Sequence, residues 1–148
     1  MKIYLDNCCF NRPFDDLSQE RINMEADAIL SIISRCERGV WSLAASTIID
    51  IEINKISSDD KLKKVCSLYS IASEKLLVND TIAQLAAQFQ QVGIKLYDSF
   101  HLALAEAYNY DVLLTTDDAF LNNAKKLSLN ISVENPVAWL MEVLRNER

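Results

Sequence analysis

The sequence predicts an α/β domain built on a parallel sheet with helices on both faces, and three observations point there. Short apolar runs alternate with longer segments of helical periodicity along the whole chain. Half of the 148 residues are apolar and 24% are charged, as in a chain that buries a core. Only 2 Gly and 2 Pro interrupt it, which excludes a disordered or low-complexity polymer.

Each element follows from local pattern. Lys2–Asp6 (KIYLD) reads as a buried first strand with Asp6 at its carboxyl end, followed by the polar turn NRPFDD. After Ser18, a candidate cap, Ile22, Ala26, Ile29, Leu30 and Ile33 recur at helical spacing until Gly39 stops the helix. Trp41, Leu43 and Ala45 form a second strand. The β-branched run Thr47–Ile53 suits either state, and Ser46 as a cap favours helix. Leu62, Val65, Cys66 and Tyr69 share one helix face, as do Ile82, Leu85, Ala86 and Phe89 after the capping candidate Asp80, with a third strand over Lys75–Val78 between them. Tyr97–Tyr108 is apolar on two sides and reads as a deeply buried helix, with Asp98 and His101 one turn apart. Val112–Thr115 is the next strand, Asp117–Leu127 a helix and Ile131–Val133 the last strand. Val137, Leu140, Met141 and Leu144 line a terminal helix opened by Pro136. No composition shift divides the chain, so residues 1–148 are expected to form one domain.

Fifteen Lys and Arg against 21 Asp and Glu give a net charge of −6. No apolar run reaches the about 20 residues of a membrane span, and no signal peptide is legible, which makes the expected location cytoplasmic. Cys8, Cys9, Cys36 and Cys66 show no CxxC or paired spacing and are expected as reduced core residues.

The carboxylates carry the chemistry. In a parallel sheet, strand carboxyl ends and helix amino ends share one edge, where ligands bind. Asp6, Glu52, Asp98 and Asp117 all project to that edge. The helix after Asp98 climbs roughly 18 Å and its strand returns roughly 13 Å, so Asp98 and Asp117 can be neighbours. Two carboxylates 4 Å apart repel by about 4 kcal/mol at an effective dielectric of 20, so a cluster of four needs a cation. All-oxygen sites suit Mg²⁺ or Mn²⁺, which lower the pKa of a bound water and neutralise charge developing on a phosphodiester.

The ordered set of Asp6 after an apolar strand, S-x-x-I-x-x-E at Ser46, Ile49 and Glu52, D-S-F-H-L-A-L-A-E from Asp98 to Glu106, T-x-D-x-x-F at Thr115, Asp117 and Phe120, and N-P-x-x-W from Asn135 to Trp139 resembles PIN-domain proteins. That resemblance implies a PIN-like three-layer α/β fold and a Mg²⁺- or Mn²⁺-dependent endoribonuclease, with Asp6, Glu52, Asp98 and Asp117 matching the family's acidic quartet. It also implies a VapC-type toxin cutting RNA, inhibited by a cognate antitoxin and often dimeric. Asn7 and Cys8 depart from the family, in which a small hydroxyl residue and then Asn or Ser commonly follow the first aspartate. This departure keeps a second reading open, a catalytically inactive PIN-fold module that binds protein or RNA. Phosphoaspartate chemistry at Asp6 is disfavoured, because no second carboxylate stands two residues on.

Asn7, Arg12 and Thr115 are candidate substrate contacts. Arg12 could hold a phosphate, neutralise Asp6, or pair with Asp15 or Asp16. Arg35, Arg38, Lys55, Lys61, Lys63 and Lys64 could form a basic rim, although such charges are more often solvated helix faces. The acidic balance predicts weak, salt-sensitive RNA binding. His101, the only histidine, reads as a hydrogen-bonded core residue rather than a catalyst, placed to orient Asp98 or to contact substrate. Asp98 and Asp117 could be plain helix caps, Glu52 a solvated helix residue, and Asp118 a first-turn acid favoured by the helix dipole.

Overall fold

A computed structural model describes residues 1–147. Five strands, β1 (Lys2–Leu5), β2 (Ser42–Ser46), β3 (Glu74–Leu76), β4 (Val112–Leu114) and β5 (Ser132–Glu134), form one sheet in the order β3-β2-β1-β4-β5. All four pairings are parallel. The helices are α1 (Asn7–Asn11), α2 (Glu20–Glu37), α3 (Thr47–Ile53), α4 (Asp59–Tyr69), α5 (Asp80–Gln90), α6 (Leu96–Ala107), α7 (Asp118–Ala124) and α8 (Pro136–Asn146). A 3-10 turn, Arg12–Phe14, separates α1 from α2.

β1 and β4 are neighbours, and the chain leaves them in opposite directions, towards β2 and towards β5. Right-handed crossovers therefore carry helices to opposite faces and open a crevice at the carboxyl ends of these two strands. α2 packs on α8, and α5 on α6. The sheet between them is apolar on both sides. Ile3, Tyr4 and Leu5 are fully buried, as are Leu113 and Leu114. This is the three-layer α/β architecture expected from the sequence.

Several boundaries have local causes. Gly39 adopts φ 79° after α2, and Val40 N–H then reaches back to Arg35 O at 2.9 Å, closing the helix in a Schellman turn. Ser46 caps α3, its Oγ accepting from Ile49 N–H at 3.1 Å. Asn135 caps α8 ahead of Pro136. Two other expected caps are displaced by one residue. α2 starts after Gln19 rather than Ser18, whose hydroxyl instead donates to Asp16 at 2.6 Å, and Asn79 rather than Asp80 caps α5.

The stretch expected as a polar turn is structured. Its Asn11 ends α1, and Arg12–Phe14 form the 3-10 turn, because Pro13 suits the start of a turn and its missing N–H leaves no donor unpaired. α6 is buried over Leu102–Ala105, as its two-sided apolar pattern requires. Leu30 and Met141, expected on core-facing stripes, are 41% and 58% exposed on the outer flanks of α2 and α8. The four cysteines are free, but only Cys9 and Cys36 are buried. Cys8 is half-buried, and Cys66 is exposed on the solvent face of α4, which corrects its placement in the core. Among the described residues, no helix is long and apolar enough to cross a membrane.

Candidate functional site

β1 ends in the crevice, and Asp6 follows it directly. The Asp6 backbone is fixed by its N–H on Leu114 O (3.0 Å) and by its carbonyl, which accepts from Cys9 N–H (2.8 Å). The residue is 4% exposed. Oδ2 accepts from the Thr115 hydroxyl at 2.9 Å and from the Cys8 thiol at 3.3 Å. The departure at Cys8 therefore retains a donor to the carboxylate, a weak one supplied by sulfur. Thr115 is 1% exposed, and besides holding Asp6 it accepts from Asp117 N–H at 3.1 Å. Its place is behind the carboxylate rather than on the surface a substrate would meet.

Residues two apart on a strand face the same way, so Tyr4 and Asp6 both look towards α6. There the buried imidazole of His101 meets three groups. Nδ1 lies 2.6 Å from the Tyr4 hydroxyl, Nε2 makes a short hydrogen bond with Glu52 Oε1, and Asp6 Oδ1 is 3.6 Å from Nε2. Ligand atoms of Asp6, Glu52 and His101 all lie within 4.8 Å of one another. Glu52, near the end of α3, is thus not the free solvated residue its type suggests. His101 engages Glu52 rather than orienting Asp98, the role its spacing suggested.

Asp98 stands one turn before His101 on α6 and, unlike a cap, makes no side-chain hydrogen bond to the helix start. Burial, then the charge of Asp6, pushes its carboxyl up to about 7; Asp117 and Glu52 add to this, and His101 opposes it. Burial alone would lower His101, yet the Glu52 hydrogen bond and the charges of Asp6, Glu52 and Asp98 leave it raised. Asp117 is the N-cap of α7, its Oδ1 accepting from Ala119 N–H (2.9 Å) and Phe120 N–H (3.2 Å). Asp117 and Asp98 line one small cleft of about 30 Å³ with Lys95 and Phe120.

The donor chemistry fits a hard divalent cation. Carboxylates converge here, and among the described residues no Lys or Arg is ion-paired with Asp6, Glu52, Asp98 or Asp117. Among the described residues, the basic side chain in contact with Asp6 and Glu52 is His101. Excess negative charge in a half-buried crevice is the environment that Mg²⁺ or Mn²⁺ relieves.

Other candidates lie elsewhere. Arg12 turns away from Asp6, pairing with Asp15 (3.1 Å) and with the buried Glu25 (3.2 Å). Asn7 receives the Asn11 side-chain amide on both its backbone carbonyl and Oδ1. Asp118 forms a two-pronged pair with Arg21, at 2.9 and 2.8 Å. In the basic group, Arg35 stacks on Trp41, Lys64 pairs with Asp60, and Lys55 donates to the Tyr97 hydroxyl beside Asp98. A cavity of about 560 Å³ runs between α2 and α8 past Met24, Glu25 and Val137, and none of the four predicted acids lines it.

No family model matches the chain, and no curated protein matches it. Among solved structures it is similar to a chain in the crystal structure of VapBC2 from Rickettsia felis bound to a DNA fragment from their promoter. The TM-score is 0.62 at 16% identity, covering 91% of this chain and 98% of that one. At this identity the likeness speaks to architecture alone. The chain therefore has the PIN-like α/β fold that its ordered motifs imply, in common with the VapBC2 chain.

Proposed function

We propose that this chain is a metal-dependent endoribonuclease that hydrolyses RNA phosphodiester bonds and serves as the toxin of a toxin–antitoxin pair. One observation carries the reading: Asp6 and Glu52 meet at the β1/β4 crevice, with Asp98 one helical turn before the His101 they touch, and none of the three has an ammonium or guanidinium partner among the described residues. Asp6 and Asp98 would hold the principal cation, with Glu52 and Asp117 completing its shell or orienting the attacking water. A bound Mg²⁺ or Mn²⁺ would supply positive charge against the phosphodiester and acidify a water near neutral pH.

The chain's own residues do the positioning. The Thr115 hydroxyl and Cys8 thiol fix Asp6 Oδ2, and the start of α7 holds Asp117 by Oδ1 while leaving Oδ2 without a hydrogen bond among the described residues. Lys55, docked on Tyr97 next to Asp98, and Lys95 at the mouth of the cleft offer positive charge to an approaching RNA backbone. Resemblance to VapC-type toxins, together with the fold shared with a VapBC2 chain, supports an antitoxin partner; a dimeric toxin rests on the resemblance alone.

The test is RNA cleavage that EDTA stops and Mn²⁺ restores, with Asp6→Asn and Asp98→Asn as folded, inactive controls. Cleavage that survives both substitutions overturns the catalytic assignment. A folded protein with neither Mn²⁺ binding nor cleavage would be an inert PIN-fold binding module.

A further inference from the structure

We propose that His101 is a positioning residue, one that holds Glu52 against Asp6 and is itself held by Tyr4 and Ser46. The inference rests on the nuclease reading of this crevice and assigns a task to a side chain outside the acidic quartet.

His101 is fully buried, and both ring nitrogens are engaged, Nδ1 with the Tyr4 hydroxyl (2.6 Å) and Nε2 with Glu52. Behind Tyr4, its hydroxyl lies 2.7 Å from Ser46 Oγ, which also accepts from Ile49 N–H in the first turn of α3. The chain of contacts therefore closes on itself. Ser46 caps the helix whose last turn carries Glu52, and one imidazole is tied to both ends of that helix. Tyr4 precedes Asp6 by two residues on β1, and Asp98 precedes His101 by one turn on α6. Three elements that deliver carboxylates to the crevice are joined at this ring.

Hydrogen-bond directions decide how the ring acts. A carboxylate accepts and cannot donate, so the Nε2–Glu52 bond needs the proton on Nε2. Nε2 then has no lone pair to offer a cation while that bond holds, and His101 acts through Glu52 rather than as a ligand. With the proton on Nε2 and Nδ1 bare, Tyr4 donates to Nδ1 and Ser46 donates to Tyr4 while accepting from Ile49 N–H, so every hydrogen-bonding group in the buried chain is satisfied. Partners that orient metal-binding carboxylates are worth 10–100-fold in metal affinity.

Crystal structures and Mn²⁺ titrations of the wild type, His101→Leu, His101→Gln, Tyr4→Phe and Glu52→Ala test this. The Leu variant should release Glu52 from Asp6, weaken Mn²⁺ binding about 10–100-fold, and lower kcat for RNA with KM unchanged. The Gln variant keeps an N–H near the Nε2 position and should recover most of the loss. Tyr4→Phe should fall between them. The inference is overturned if Glu52 stays in place in the Leu variant, if its Mn²⁺ affinity is unchanged, or if Gln rescues nothing. Should the Leu variant not fold, Gln decides: affinity near wild type sustains the role, and loss to the Glu52→Ala level overturns it. A wild-type protein that binds no Mn²⁺ defeats the nuclease reading instead, and the position of Glu52 in the Leu and Gln crystals then decides this inference alone.

Discussion

Among the described residues, the buried acids Glu25 and Asp6 sit in surroundings that treat their charge in opposite ways. Glu25 on α2 is 1% exposed, and Arg12, Arg21 and the Asn135 amide surround it at 3.2, 3.2 and 2.7 Å. Asp6 and Glu52 share the single imidazole of His101, and Asp98 stands one turn before it on α6. A buried carboxylate met by guanidinium groups has its charge balanced by side chains and ties α2 to the first loop and to the start of α8. The second cluster carries more negative charge than its side chains balance, and the Asp98 carboxyl is raised by its burial first and by the charge of Asp6 next. The contrast separates an ion pair that holds the fold from a site that lacks a cation.

The sharpest way to break the comparison is to neutralise one acid in each cluster. Asp98→Asn should abolish RNA cleavage and leave the thermal midpoint unchanged or raised, because it removes a repelled charge. Glu25→Ala should leave the Mn²⁺ dependence of cleavage intact. It should cost about 3 kcal/mol, the low end for a broken buried pair because Arg21 is largely exposed, or roughly 6–12 °C in Tm. Calorimetry beside a cleavage assay reads both. If Glu25→Ala abolishes cleavage in a folded protein, the two clusters are not separate.

A pH series sharpens the comparison next. Asp98 binds its proton more tightly folded, at about 7, than unfolded, near the ordinary 3.8. The folded state therefore holds more protons between these values, and stability falls as pH rises through that window. His101, also raised, stabilises fully below its unfolded value of 6.5 and loses that contribution above it. Both signs agree: the metal-free protein should melt higher at pH 5 than at pH 8, and Mn²⁺ should raise Tm more at pH 8. Equal metal-free midpoints at the two pH values would contradict the excess-charge account.

The smallest expected effect lies behind Asp6. Thr115→Val removes an Asp6 donor and the acceptor for Asp117 N–H, whereas Cys8→Ala removes a weak thiol donor at 3.3 Å and a weak sulfur acceptor 3.5 Å from Thr116 N–H. Cys8→Ala should cost under about 1 kcal/mol and Thr115→Val more, with the same order in Mn²⁺ affinity. A reversed order would make the thiol the main support of Asp6.

The sheet and its acidic edge were legible because they rest on periodicity. An apolar strand closing on Asp6 and a helix apolar on two sides leave little choice about where Asp6 and Asp98 go. The partners of those acids were not legible. His101 is one residue with no repeating pattern, and its link to Glu52 spans 49 positions. The available signal was Tyr4, whose hydroxyl in a buried strand requires a polar partner. Arg12 was read beside Asp6 because they are close in sequence, but the turn through Pro13 carries it to Glu25. The Glu25 cluster was missed although Arg21 and Glu25 stand four apart on one helix. Spacing of that kind is common on solvated faces, and burial alone distinguishes this case.

A crystal of the wild-type protein soaked in millimolar Mn²⁺ and measured at the manganese edge tests the central claim most directly. An anomalous peak between the carboxylates of Asp6 and Asp98, lost in Asp98→Asn, is the result this account predicts. A map without a peak there, from crystals whose crevice is open to solvent, would contradict it.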